Sequence, residues 1–236
     1  MIPRANTLSV IISASRQRHF LHGTLLAVRL AAERAEREGV AIDISVLAYD
    51  CDPETAFWLE ERAMYPVHRS MHGSLGSARN EAIARATGEY IAFIDGGDLC
   101  SVNFFSTALG QDRKSDGRVV WRPAISIGFA GSYFNIDEYS VRETPDSRHL
   151  DHATILVENP YASCFLVSRH LFDQVPFPEE DIDRGWTDID WWWCANLAGA
   201  KIHQVPASNT LHYFRTALRT RPATHRLPFG PTSLER

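Results

Sequence analysis

Residues 73–98 read GSLGSARNEAIARATGEYIAFIDGGD, and the period of the pattern changes half way along. Residues 76–86 carry the spacing of an amphipathic helix, with Gly88 placed to end it. Residues 89–94, EYIAFI, are then continuously apolar enough to form a buried strand that stops at the carboxylate of Asp95. Gly76 lets the backbone approach a ligand closely, and Arg79 adds positive charge beside the free N–H groups of a helix start. The plainer alternative is a turn glycine and an arginine paired with a surface carboxylate.

Working outward, the same alternation recurs upstream. Residues 8–13 (LSVIIS) form a strand apolar on both faces. A polar turn over 14–19 leads to a helix over 20–37 that Gly39 ends, and residues 41–48 (AIDISVLA) form a second strand before a helix over 54–63. Strands separated by helices of this length imply βαβ units, a parallel sheet and right-handed crossovers. In such Rossmann-like sheets ligands bind beyond the carboxyl ends of the strands. Three strand ends carry suitable polar groups: Ser13, Ser15 and Arg16; Asp50 and Asp52; and Asp95 with Asp98. Their convergence points to a nucleotide crevice.

Downstream the pattern is less regular. A strand is expected over 118–127, a loop over 128–149, and a short strand ending at Val167 after an Asn159-Pro160 turn. A helix over 190–197 and a last strand over 201–205 follow. The expected organisation is one domain over 1–215, with a nucleotide-binding half (1–100) and an acceptor half (101–215). Residues 216–236 form an Arg-, Thr- and Pro-rich tail.

Composition narrows the classes. The 236 residues are 44% hydrophobic and 22% charged, enough for a substantial core. A net charge of -5 gives no reason to expect nucleic acid as a partner. No apolar run reaches the roughly 18–20 residues of a membrane span, so a cytoplasmic location is expected. Cys51, Cys100, Cys164 and Cys194 are too scattered for a zinc or disulfide framework and read as reduced thiols. An NAD-dependent enzyme would need a glycine-rich turn after the first strand, and residues 13–19 contain no glycine.

The run over 73–98 resembles glycosyltransferase family 2, whose G-x-x-x-A-R-N and G-x-[YF]-[IVL]-x-F-[IL]-D patterns are matched by Gly76, Ala78, Arg79, Asn80, Gly88 and Asp95. The resemblance extends over roughly residues 8–215 and implies an α/β GT-A fold. It also implies transfer of a sugar from a nucleoside diphosphate to a hydroxyl acceptor with inversion, as a hexosyltransferase-like enzyme. By the same resemblance Asp95 and Asp98 occupy the place of metal-binding acids that would hold Mg²⁺ or Mn²⁺ on the donor diphosphate. Gly97 stands where the second acid of a D-x-D motif usually lies. His212 is a candidate third ligand, and Ser13, Ser15, Arg16, Asp50, Arg79 and Asp95 are candidate contacts to the nucleotide sugar.

Residues 185–205, GWTDIDWWWCANLAGAKIHQV, resemble the segment that supplies the family's general base. That register gives the base to Asp188, while a slip of two residues gives it to Asp190. Trp186 and Trp191 are candidate stacking surfaces for a sugar acceptor, although consecutive tryptophans on a helix cannot all face one way. Two departures are plain: the first strand lacks the family's proline and aromatic, and the acids of the second strand end are displaced. They leave a second reading open, a degenerate GT-A domain acting as a binding or scaffold module. The residues do not decide the oligomeric state.

Overall fold

The computed structural model describes residues 7–112, 115, 117–131, 136–144, 164–179 and 187–213. Trp186, the Asn159-Pro160 turn and the tail over 216–236 lie outside these residues. The elements run β1 (Thr7–Ala14), α1 (Arg18–Arg37), β2 (Ala41–Ala48), α2 (Pro53–Arg62), β3 (Val67–Arg69), α3 (Leu75–Arg85), β4 (Tyr90–Asp95) and β5 (Leu99–Cys100). There follow α4 (Phe104–Asp112), β6 (Val119–Gly131), β7 (Ile136–Glu143), β8 (Phe165–Ser168), α5 (Arg169–Gln174), α6 (Thr187–Leu197) and β9 (Lys201–Tyr213).

Among the described residues nine strands form one sheet in the order β3-β2-β1-β4-β8-β6-β9-β5, with β7 paired to β6. Strands β1 to β4 are mutually parallel where they pair. Strand β8 is antiparallel to both β4 and β6, and β9 is parallel to β6. The carboxyl ends of β1, β2, β4, β6 and β9 therefore lie along one edge of the sheet. That edge is where the polar strand ends converge.

The sheet is covered on both faces, which is why its first strands are apolar without alternation. On one face Val10 and Ile12 pack with Leu21, Leu25 and Val28 of α1 and with Phe104 and Phe105 of α4. On the other, Ile11, Phe93, Phe165 and Val167 pack with Ala78 and Ala82 of α3 and with Trp191 and Trp192 of α6. Helix starts are capped by side chains: Asp52 accepts from the Thr55 N–H at 2.7 Å and Ser74 from the Ser77 N–H at 3.1 Å. No described helix is long and apolar enough to cross a membrane.

The second half differs from the sequence expectation in two places. The stretch read as a loop over 128–149 contains the end of β6 and all of β7, which form an antiparallel hairpin. Tyr139 and Val141 on β7 are exposed, so the strand carries no buried apolar run to announce it. The last strand does not stop at Val205. It continues to Tyr213 through an irregularity in which Pro123 pairs with Val205 but Ile125 with Asn209. Pro206 and the residues after it look like a turn in sequence because they form this bulge, where Ala207 takes a φ of 54°.

Candidate functional site

Strand β4 delivers Asp95 beside Ser13 at the end of β1. The chain then turns within three residues. The Gly96 N–H donates to the Ser13 carbonyl at 2.7 Å, and the Asp98 N–H donates to the Asp95 carbonyl at 2.9 Å. The Gly97 N–H donates to Thr24 Oγ1, from the buried side of α1, at 2.8 Å. A Cβ at position 96 would lie 3.0 Å from the Ser13 carbonyl oxygen, and Gly97 sits at a φ of +106°. Both glycines are thus required by this turn. Asp98 ends up buried and Asp95 about one-third exposed.

Arg79 is fully buried and reaches Asp95 with Nη2 to Oδ1 at 3.3 Å. Its guanidinium lies 5.5 Å from the centre of the Phe93 ring and 5.1 Å from that of Phe177. Such a charge is retained in an apolar setting only when paired, and Asp95 supplies the pair. The plain expectation of a surface ion pair therefore fails on burial. Ser13 lies on the same sheet face, and its buried hydroxyl has no hydrogen-bond partner among the described residues. Asn80 faces away from this cluster: its amide donates to the Phe177 carbonyl and accepts from the Phe177 N–H, both at 2.9 Å.

Along the same edge, Ser15, Arg16 and Asp50 form a second group. Arg16 Nη2 meets Asp50 Oδ2 at 2.9 Å, with both side chains about half exposed. Ser15 Oγ donates to the Asp50 carbonyl at 3.1 Å. Gln17 fixes the loop by accepting from the N–H groups of Ser15 and Arg16 at 2.7 and 2.9 Å. Asp52 joins this group through its backbone, its N–H donating to the Ser15 carbonyl at 3.3 Å, while its carboxylate caps α2.

The far side of the crevice comes from β5, β6, β7 and β9. Asp98 immediately precedes Leu99, which pairs with Leu211, so it stands level with His212. His212 Nδ1 lies 3.2 Å from Ser126 Oγ. Arg142 on β7 pairs directly with Ser126, and Arg122 lies four residues earlier on the same face of β6. Burial, then the charges of Arg122 and Arg142, hold the His212 imidazole below its ordinary pKa. Phe20 of α1 stacks on Tyr213 at 4.3 Å and meets Phe129 edge-on at 6.0 Å, tying the start of α1 to the ends of β6 and β9. Ser126, Arg122 and Arg142 were not singled out by motif. The signal available was an arginine inside the apolar run VVWRP.

Asp188 lies in the first turn of α6, its side chain outside the described residues. The 198–200 turn returns the chain directly into β9. Helix α6 therefore runs back across the sheet, with its N-terminus toward the strand carboxyl ends. Trp191 is not an acceptor platform. It is fully buried, its ring 5.4 Å from that of Phe165, and its indole N–H donates to the Val175 carbonyl at 2.9 Å.

The expected metal ligands are only partly assembled. Among the described residues no three His, Cys, Asp or Glu side chains come together as a metal site. Asp95 faces the Arg79 cation, and position 97 offers no ligand. Asp95, Asp98 and His212 do not come together as a divalent-ion site among the described residues.

No family model matches the chain. A stretch of 88 residues, 37% of the chain, is 31% identical to glycosyltransferase GlyG of Streptococcus pneumoniae serotype 4 (strain ATCC BAA-334 / TIGR4) and spans 25% of that protein. The structure is similar to a crystal structure of GalNAc-T7 with UDP, GalNAc and Mn²⁺, with a TM-score of 0.64 and 16% identity. That similarity covers 90% of this chain and 45% of the other, so the chain spans less than half the length of the proteins it matches. A nine-tenths overlap at that score places the fold: the chain has the GT-A fold of the glycosyltransferases.

Proposed function

We propose that the chain is an inverting, family 2-like glycosyltransferase that moves a hexose from a nucleoside diphosphate to a hydroxyl acceptor, with the cytoplasm as its site of action. The observation that carries this reading is the convergence of Ser13, the Arg79–Asp95 pair, Asp98 and His212 along one edge of a GT-A sheet. The similarity of 88 residues to a glycosyltransferase supports it. In this reading Ser15, Arg16, Asp50, Ser13, Arg79 and Asp95 contact the nucleotide sugar.

In this reading Asp188 takes the proton of the acceptor hydroxyl as that oxygen attacks the anomeric carbon from the face opposite the leaving group. The bond from anomeric carbon to phosphate oxygen breaks, and the nucleoside diphosphate departs with its electron pair. A carboxylate suits the task because a sugar hydroxyl becomes acidic only as attack proceeds. The similar GalNAc-T7 structure contains UDP and Mn²⁺, and a divalent ion, where one binds, would offset charge on a diphosphate. No step here is assigned to one, because the described residues do not form its site.

Asp188→Asn is expected to abolish transfer, a fall of about a hundredfold or more, while donor binding measured by calorimetry stays within about twofold. Full activity in Asp188→Asn would show that the base lies elsewhere, with Asp190→Asn the next variant to assay. The glycine at position 97 also favours a second reading, a GT-A domain that binds nucleotide without transfer. A nucleotide that raises the melting temperature, together with no transfer or hydrolysis of any nucleotide sugar, would select that reading.

A further inference from the structure

We propose that this crevice meets the charge of a diphosphate with side-chain donors, Arg142 and His212 backed by Arg122, and not with a divalent ion. The inference rests on the nucleotide-binding reading above. Three independent features of the chain carry it.

The first is the turn itself. Position 97 is locked in the left-handed region by a buried hydrogen bond from its N–H to Thr24. That conformation disfavours a residue with a Cβ. A Cβ built there points at Gln17 Cγ and Phe20 Cβ, each at 3.7 Å, which is toward the first turn of α1. The turn is therefore shaped for glycine, and an acid at this place would be aimed into α1 and away from Asp95.

The second is Arg79. Its charge is completely buried and its paired carboxylate is Asp95. A dication on Asp95 would sit against a buried guanidinium, and the two like charges would repel.

The third is the opposite wall. Arg122, Ser126, His212 and Arg142 share one face of the β7-β6-β9 ribbon, Arg142 directly opposite Ser126. Ser126 and His212 are within hydrogen-bond distance at 3.2 Å. When the Ser126 hydroxyl donates to Nδ1, the ring proton resides on Nε2, leaving a neutral donor for a phosphate oxygen. Arg142 is exposed at this wall. Arg122 is buried with its guanidinium 4.8 Å from the Trp192 ring centre, and acts through its field. Asp98 stands level with His212 on the neighbouring strand.

The test is calorimetry on the full chain with UDP, GDP and TDP, each in EDTA and in MgCl₂ or MnCl₂. One nucleotide is expected to bind with a Kd that changes less than about twofold between EDTA and metal. Arg142→Ala is expected to weaken that binding about tenfold or more, as loss of a charged hydrogen bond does. Arg142→Lys should recover most of it. Gly97→Asp is expected to lower the melting temperature without creating metal-dependent affinity. Binding that requires Mg²⁺ or Mn²⁺, or an Arg142→Ala Kd equal to that of the parent chain, overturns the inference and leaves the nucleotide reading intact. No binding of any nucleotide, with or without metal, overturns the nucleotide reading as well.

Discussion

Gly88 looks in sequence like a helix terminator, yet α3 ends at Arg85 and Ala86, its C-cap, is already extended. What position 88 requires is room. A Cβ there would lie 2.4 Å from the Ser9 N and 2.7 Å from the Tyr90 O, backbone atoms of two central strands that cannot retreat. Gly88→Ala is expected to cost about 2 kcal/mol or more, measured as a lower urea midpoint at unchanged slope. Other residues were legible only in type. Arg79 was readable as a charge near the ligand edge, but its burial between Phe93 and Phe177 depends on Phe177, which is far along the chain. Trp191 was readable as an aromatic beside the base segment, whereas its indole faces Phe165 and the core. Sequence shows which groups are present, and long-range packing decides which way they face.

At the scale of elements, α3 shows how a motif can serve structure and site together. Arg79 points to Asp95, while Asn80 one residue on clamps both backbone groups of Phe177. The other end of α3 is held by Arg169, whose guanidinium donates to the carbonyls of Gly88 at 2.8 Å, Ile83 at 3.0 Å and Ala86. Asn80→Ala removes both partners of Phe177 and is expected to lower stability by about 2 kcal/mol, seen as a drop in melting temperature. The elements of the first half were legible because β1, β2 and β4 are buried on both faces and spell continuous apolar runs. Strand β7 was not, since one of its faces is open to solvent and its alternation is blurred by charge. The extension of β9 was hidden for a different reason: its bulge uses Pro206 and Asn209, residues that ordinarily mark a loop.

For the molecule as a whole, two apolar layers enclose one sheet and leave a single polar edge. The thiols report that division. Burial raises Cys100 to about 12 and lifts Cys164 well above its usual range, while Cys194 is exposed. Because the thiolate is the reactive form, a maleimide at pH 7.5 is expected to label Cys194 rapidly. Cys51 is expected to react more slowly, and Cys100 and Cys164 only once the chain unfolds; mass spectrometry of the timed samples checks the order. Labelling of Cys100 in the native chain would contradict the packing of β5 against β9.

The hydrogen bond from Gly97 to Thr24 joins positions 73 residues apart. A signature written as D-G-G-D therefore describes half of the device, and the threonine on α1 completes it. Replacing Thr24 with an apolar residue strands a buried N–H, and adding a side chain at position 97 disturbs the turn that the hydroxyl supports. Through descent the two positions are expected to change as a pair. A relative that carries an acid at position 97 should therefore show its compensating change in the first helix.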